Sequence, residues 1–352
     1  MTSTAAPAPT THLSVLLASR PHGEPTPDNF TLERTAVPEP GPDEVLLRTI
    51  YLSLDPYMRG RMSDAESYDA PVPVGGVMTG GTVSEVVASN SDLVAVGDVV
   101  LALTGWQEYA VVHAKAVRRL DPTRAPLSTA LGVLGMPGFT AYAGLLEIGR
   151  PQPTETVVVA AAAGPVGSAV GQIAQIKGAR AVGIAGGPEK VAYVKDELGF
   201  DVALDHRSPD FVDELAAATP EGIDVYFENV GGAVFDAVLP RMNEFGRIPL
   251  CGLISQYNAT RLPDGPDRSP ALLSRILTRS LTVRGFIQRE FVKAHYRQFQ
   301  DDMAGWIADG RVRYREDVVD GLEKAPEAFL GMLRGTNFGK LVVQVGADPT
   351  NP

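Results

Sequence analysis

Cysteine is almost missing: Cys251 is the only one in 352 residues. That excludes an intrachain disulfide and a structural zinc site built from four cysteines. Histidine is scarce too, and the five at positions 12, 22, 113, 206 and 295 include no pair at the spacing by which one helix face grips a metal. Metal-free chemistry is the expectation. Positive charge is in deficit, with 31 Lys and Arg against 42 Asp and Glu. This argues against nucleic acid or an anionic membrane as partner, because both surfaces are themselves negative. No clean membrane span is present either. The longest apolar run, Thr156 to Ala174, is broken at its centre by glycines and a proline and lacks a basic flank. Met1 to Thr11 is rich in Ala, Pro and Thr without the basic region and apolar core of a secretory leader, so it reads as a loose tail and the protein as cytoplasmic.

What is present divides in two. From His12 to Val117, short alternating or apolar runs such as Glu44 to Ser53, Gly81 to Ala88, Asp98 to Leu103 and Gln107 to Val112 are punctuated by turns, which predicts a β-rich domain over 1–126. Asp121 to Pro126 marks a boundary, and Leu127 to Ile148 has helical apolar spacing. Strand signals then follow at Val157 to Ala160, Ala181 to Ala185, Val202 to Leu204, Asp224 to Glu228, Gly246 to Cys251 and Leu281 to Phe286. Helical segments separate them at Val166 to Lys177, Glu189 to Leu198, Pro209 to Ala218, Ala233 to Met242 and Ala271 to Thr278. Such alternation predicts an α/β domain with a doubly wound parallel sheet over 127–291. After a helix at about Val292 to Asp309, strand signals at Val312 to Val319 and Lys340 to Val345 flank a helix near Ala325 to Leu333, and 292–352 reads as a return to the first domain.

The Val- and Ala-rich strand runs through Ala161-Ala-Ala-Gly164-Pro165-Val166-Gly167 into a helix. Glycines there let backbone approach a pyrophosphate while the helix presents its first N–H groups to the charge. The turn departs from G-x-G-x-x-G, since Ala162 holds the first glycine position, but its strand–turn–helix setting favours dinucleotide binding over a mere tight turn. NAD sites place an acid at the end of the second strand. Here that region reads Ala185-Gly-Gly-Pro-Glu189-Lys190. Lys190, with His206 and Arg207 from the next strand's end, offers donors to a 2′-phosphate and favours NADP, while Glu189 keeps an NAD reading open.

With these residues in hand, the chain resembles the zinc-independent medium-chain dehydrogenase/reductase proteins of the prostaglandin reductase, or leukotriene B4 12-hydroxydehydrogenase, group, which includes alkenal and curcumin reductases. The matching blocks span nearly the whole chain: Leu54 to Gly60, Gly135 to Tyr142, Ala161 to Gly167, Glu189 to Tyr193, Tyr226 to Gly232, Phe245 to Ile248, Cys251 to Asn258 and Asn337 to Lys340. The resemblance implies a GroES-like catalytic domain beside a Rossmann domain, NADPH/NADP+ as cofactor, and reduction of the double bond of a small enone or enal. It implies cofactor contacts from Gly164, Pro165, Val166, Gly167, Lys190, His206, Asn229, the loop carrying Cys251, Gly252, Ile254, Ser255 and Tyr257, the segment from Phe286, and Asn337. It also implies a homodimer through the nucleotide domain. His206 stands where this group commonly has a tyrosine.

Hydride addition to the β-carbon of an enone leaves an enolate, and a donor near its oxygen lowers the barrier. Tyr257 is the candidate catalytic donor, with packing against the cofactor as the equal alternative. Tyr57 is the candidate substrate contact, Asp55 and Arg59 reading instead as turn residues. Cys251 reads as a small strand-end residue rather than a nucleophile. Two other functions remain open: an NADPH:quinone reductase on the same cofactor site, and a cofactor-binding scaffold without turnover.

Overall fold

The computed structural model describes residues 9–262 and 265–350. Most of the expected tail, residues 1–8, lies outside the described residues, and Thr11 already begins a strand. The chain forms two compact units, one from Met1–Leu131, Val318–Arg334 and Leu341–Pro352, the other from Gly132–Asp317 and Gly335–Lys340.

In the first unit β1 (Thr11–Leu17) and β2 (Phe30–Ala36) make an antiparallel hairpin. Next come β3 (Glu44–Ser53), the one-turn helix α1 (Tyr57–Arg61), β4 (Thr82–Ser89), β5 (Val99–Ala102), β6 (Tyr109–His113) and β7 (Arg118–Arg119). β3 alternates at its start, burying Val45 and Leu47, then buries every residue from Thr49 onward because both its faces are covered there.

The second unit opens with α2 (Met136–Ala143). The apolar spacing over Leu127 to Ile148 predicts one helix, but α2 is only its middle third, preceded by a separate 3₁₀ turn at Leu127–Leu131 and followed by a π turn. The break is tight: a β-carbon on Gly138 would stand 1.9 Å from the Val133 carbonyl oxygen. Then strands and helices alternate as β8 (Thr156–Ala160), α3 (Pro165–Ile176), β9 (Arg180–Ala185), α4 (Pro188–Ala192), β10 (Val202–Asp205), α5 (Phe211–Ala218), β11 (Ile223–Phe227), α6 (Gly232–Val238), β12 (Met242–Leu250), α7 (Ser269–Thr278), β13 (Thr282–Gly285) and α8 (Val292–Ala308). The sheet order is β10-β9-β8-β11-β12-β13 with every pairing parallel, the Rossmann arrangement.

The central strand shows why the sequence signal is a continuous apolar run. Val157 and Val159 enter one core with Phe139, Val170, Ile173, Phe299 and Met303, while Val158 and Ala160 enter another with Phe211, Leu215, Val234 and Val238. Both faces of the sheet carry helices, so neither parity of the strand can be polar. Phe299 and Met303 also tie α8, expected with the returning segment, into this second unit. The helix expected over Ala233 to Met242 stops at Val238, because Pro240 brings no N–H and a ring that crowds the preceding turn; Met242 begins β12.

The last elements are β14 (Glu316–Asp320), α9 (Ala325–Leu333) and β15 (Lys340–Gln344). They complete a seven-stranded sheet in the order β14-β15-β3-β4-β5-β7, with β6 also paired to β3. This is the GroES-like β-rich domain, and the molecule is a mixed α/β protein.

Candidate cofactor site at the switch point of the parallel sheet

Strand order reverses between β8 and β11, so the crevice past their C-terminal ends is where a doubly wound sheet takes ligands. After β8 the backbone turns sharply at Ala161, which holds φ 54°. Gly164 N–H donates to the Ala161 carbonyl at 2.9 Å. A β-carbon on Gly167 would lie 2.3 Å from that same oxygen, so only glycine allows the turn to close. Pro165 opens α3 where a missing N–H costs nothing, and Val166 and Gly167 follow in the first turn, whose N–H groups have no intrahelical acceptor. Segment Gly335–Lys340 reaches this turn: Gly339 N–H donates to the Ala163 carbonyl at 3.2 Å, and Asn337 Nδ2 donates to the Gly339 carbonyl at 3.0 Å.

Beyond β9 the structure gathers three nitrogen-bearing side chains. A β-carbon on Gly186 would stand 2.9 Å from His206 Nε2 and 3.1 Å from Arg207 Nε, so both side chains cross over a residue that has none. Lys190 is held alongside, its Nζ donating to the Gly335 carbonyl at 2.8 Å. Desolvation, then the charge of Arg207, lowers the pKa of both Lys190 and His206. Asp205 is the nearby carboxylate. It accepts from the backbone N–H groups of Gly187 at 3.0 Å and Arg207 at 2.9 Å, which hold its pKa down. Among the described residues neither Lys190 nor Arg207 forms an ion pair. Asp205 acts on His206 and Arg207, and Asp317 on Lys190, without closing an ion pair to either Lys190 or Arg207, and cations that crowd one another in this way suit an anionic ligand. Glu189, the residue that would favour NAD, is exposed on the first turn of α4.

At the other side of the crevice Asn229 Nδ2 donates to the Ala160 carbonyl at 2.9 Å, joining the ends of β8 and β11. The loop after β12 folds onto this turn. Ile254 N–H donates to the Asn229 carbonyl at 3.2 Å, and both the N–H and hydroxyl of Ser255 donate to the Val230 carbonyl, at 3.1 and 2.5 Å. The Tyr257 hydroxyl lies back over Gly252, 3.2 Å from where a β-carbon would sit. Burial, with the Glu228 charge second, pushes the Cys251 thiol up to about 12, which favours its protonated form. Pro263 and Asp264, in the segment that follows, lie outside the described residues.

Two sequence candidates sit differently. The ring of Phe286 is core, edge-on to Phe227 and Phe291 at 6.1 Å each, and a β-carbon on Gly144 would be 2.4 Å from it. Only the Phe286 backbone faces elsewhere, its N–H donating to the Leu250 carbonyl at 3.4 Å. Tyr57 belongs to the other unit, at the start of α1, where burial and then Asp55 raise its phenol pKa well above the ordinary value and keep it neutral. Asp55 accepts from Ser53 Oγ, two residues away, and Arg59 Nη2 donates to the Gly23 carbonyl at 2.8 Å. The residue that motif reading passed over is Glu228, fully buried at the end of β11. Its signal was an acid directly after the apolar strand and before Asn-Val-Gly-Gly.

Among the described residues no three His, Cys, Asp or Glu side chains gather as a metal site requires. A family model described as the N-terminal domain of oxidoreductase matches residues 14–120, and one described as zinc-binding dehydrogenase matches 165–307. The chain is 55% identical over 333 residues to the NADPH-dependent curcumin reductase of Escherichia coli (strain K12), covering 95% of this chain and 96% of that protein. It is 43% identical over 326 residues to prostaglandin reductase 1 of Rattus norvegicus, covering 92% and 95%. The crystal structure of CurA in complex with NADPH from Vibrio vulnificus superposes with a TM-score of 0.93 at 54% identity, covering 96% of this chain and 100% of that one.

Proposed function

The chain belongs to the zinc-independent medium-chain dehydrogenase/reductase family, in its prostaglandin and curcumin reductase group, and on that premise we propose that it reduces the carbon–carbon double bond of α,β-unsaturated ketones and aldehydes with NADPH. The observation that carries the cofactor choice is the Lys190, His206 and Arg207 cluster over side-chain-free Gly186. It offers positive charge at the strand end where an NAD site would offer an acid. The kinship at 55% identity carries the reaction.

Gly164, Pro165, Val166 and Gly167 would hold the pyrophosphate at the start of α3, and Lys190, His206 and Arg207 the 2′-phosphate. Asn229, Asn337, the loop of Cys251, Gly252, Ile254, Ser255 and Tyr257, and the Phe286 backbone are assigned to the nicotinamide half. When bound, the cofactor supplies hydride to the electron-poor β-carbon. The hydroxyl of Tyr257 donates to the substrate oxygen as negative charge builds there, and the α-carbon then takes a proton from water. Tyr57 is assigned a substrate contact, and no metal is required.

A second copy of the chain is the proposed partner. β13 is an edge strand with all four residues exposed, and neighbouring α7 buries none of its own, leaving Leu273 and Leu277 at 64% and 79% exposure. No helix among the described residues is long and apolar enough to cross a membrane, and the proposed location is the cytoplasm.

Stopped-flow NADPH oxidation with a panel of enals, enones and quinones tests the reading. Turnover of enals and enones ahead of quinones is expected. Quinone turnover alone would reassign the substrate class, and saturable NADPH binding without oxidation would make the protein a scaffold.

A further inference from the structure

Glu228 is 0% exposed, and its burial raises its pKa. A carboxylate is costly in such a place unless its oxygens meet donors. They do. One oxygen accepts from the N–H groups of Val230 at 2.6 Å and Gly231 at 2.9 Å, and the other from the Tyr226 hydroxyl at 3.0 Å. The backbone carbonyl of the same residue accepts from Cys251 N–H at 2.9 Å and Gly252 N–H at 3.1 Å. The carboxylate therefore fixes the first turn directly, while the main-chain carbonyl of the same residue joins it to the second. The first carries Asn229; the second carries Gly252, over which the Tyr257 hydroxyl lies. The Val230–Gly231 turn needs this help, because Gly231 and Gly232 hold φ of 76° and 59° and leave neighbouring N–H groups with no helix or strand partner. The second turn also rests on the first: a β-carbon on Gly231 would touch Leu253 at 3.1 Å and Ser255 at 3.3 Å.

From this geometry we infer that Glu228 is a positioning residue for the nicotinamide half of the site, acting through Asn229 and Tyr257 without touching ligand itself. The inference rests on the NADPH reading above. It predicts a signature different from that of the phosphate cluster, because both cofactors share the half that Glu228 organises.

Glu228→Met and Glu228→Gln form the informative pair, since both nearly keep the volume and only Gln keeps an acceptor oxygen for Val230 and Gly231. Dissociation constants for NADPH and NADH, measured by fluorescence titration beside the melting temperature, are expected to rise about tenfold for both cofactors in Glu228→Met, the size of a buried donor pair left unmet. Glu228→Gln is expected to stay within about threefold of wild type for both. A lower melting temperature with both constants unchanged in Glu228→Met would reduce Glu228 to a folding role and overturn the inference. Hydrogen exchange on the wild-type protein gives a reading that needs no variant to fold. The amides of Val230, Gly231, Cys251 and Gly252 should slow together when NADPH is added, and independent behaviour of the two turns would overturn it. Wild type that fails to bind NADPH at all would instead sink the cofactor reading, an outcome visible before any variant is made.

Discussion

Past β9 and β10, Lys190, His206 and Arg207 are brought together as side chains with no carboxylate paired to either Lys190 or Arg207. Past β11 and β12, Asn229, Glu228 and the 251–257 loop are bound to one another through backbone N–H and carbonyl groups. The first arrangement answers its charge only partly, through Asp205 and Asp317 without an ion pair to Lys190 or Arg207. The second leaves little unanswered and fixes geometry. On the proposed reading, a region of the first kind sets which cofactor is chosen, since removing one cation alters a charge-assisted contact without moving the backbone. On the same reading, a region of the second kind sets what the bound cofactor meets, since a catalytic donor is effective only when already oriented.

That contrast is broken most severely at Tyr257. Tyr257→Phe keeps the ring and removes the hydroxyl that lies over Gly252. If the hydroxyl polarises the substrate oxygen, single-turnover kinetics should show kcat falling about 100-fold with NADPH affinity nearly unchanged. Unchanged turnover would assign Tyr257 to packing and leave proton delivery wholly to water.

Lys190→Ala attacks the other region and should have a smaller, selective effect. NADPH should bind about tenfold more weakly while NADH binding holds, because only one of them carries the 2′-phosphate. The Nζ bond to the Gly335 carbonyl complicates this in a useful way. If Lys190 mainly pins the Gly335–Lys340 segment that brings Asn337 toward the glycine turn, both cofactors would lose affinity equally, and the assignment to the phosphate would fail.

The same contrast governs what the sequence disclosed. β8, β9 and β11 were legible because helices cover both faces of the sheet there, so they read as apolar runs between turn signals. The hairpin of β1 and β2 was not. β2 spells Phe-Thr-Leu-Glu-Arg-Thr-Ala with no buried residue, and β1 buries His12 and Ser14 on its polar parity as well as Leu13, Val15 and Leu17 on the other. Side-chain donors such as Lys190 and Arg207 could be named from type and spacing alone. The direction of the Phe286 ring could not, because it depends on the gap opposite Gly144. Glu228 escaped for a related reason: its role is to answer N–H groups, and those are invisible until the turns have shape.

His206 gives the gentlest test of the comparison, since it changes the charge of one region without mutation. Its ring faces Lys190 and Arg207, which oppose its protonation, and Asp205, which favours it; desolvation is the largest influence, and the net result is a pKa below 6.5 in the free protein. A bound 2′-phosphate would favour the protonated ring and raise that pKa. Between the two values the complex holds more protons on His206 than the free protein does, so affinity must increase as pH falls through that window. NADP+ should therefore bind a few-fold more tightly near pH 6 than near pH 8, while NAD+, lacking the phosphate, stays level. The gain should end below about pH 6, where the free phosphate takes up its own proton and must release it on binding. Calorimetric titration of both cofactors across that range, repeated with His206→Gln, checks the sign. A flat NADP+ profile in wild type, or the same slope in the variant, would remove His206 from the phosphate site and leave Lys190 and Arg207 to hold it.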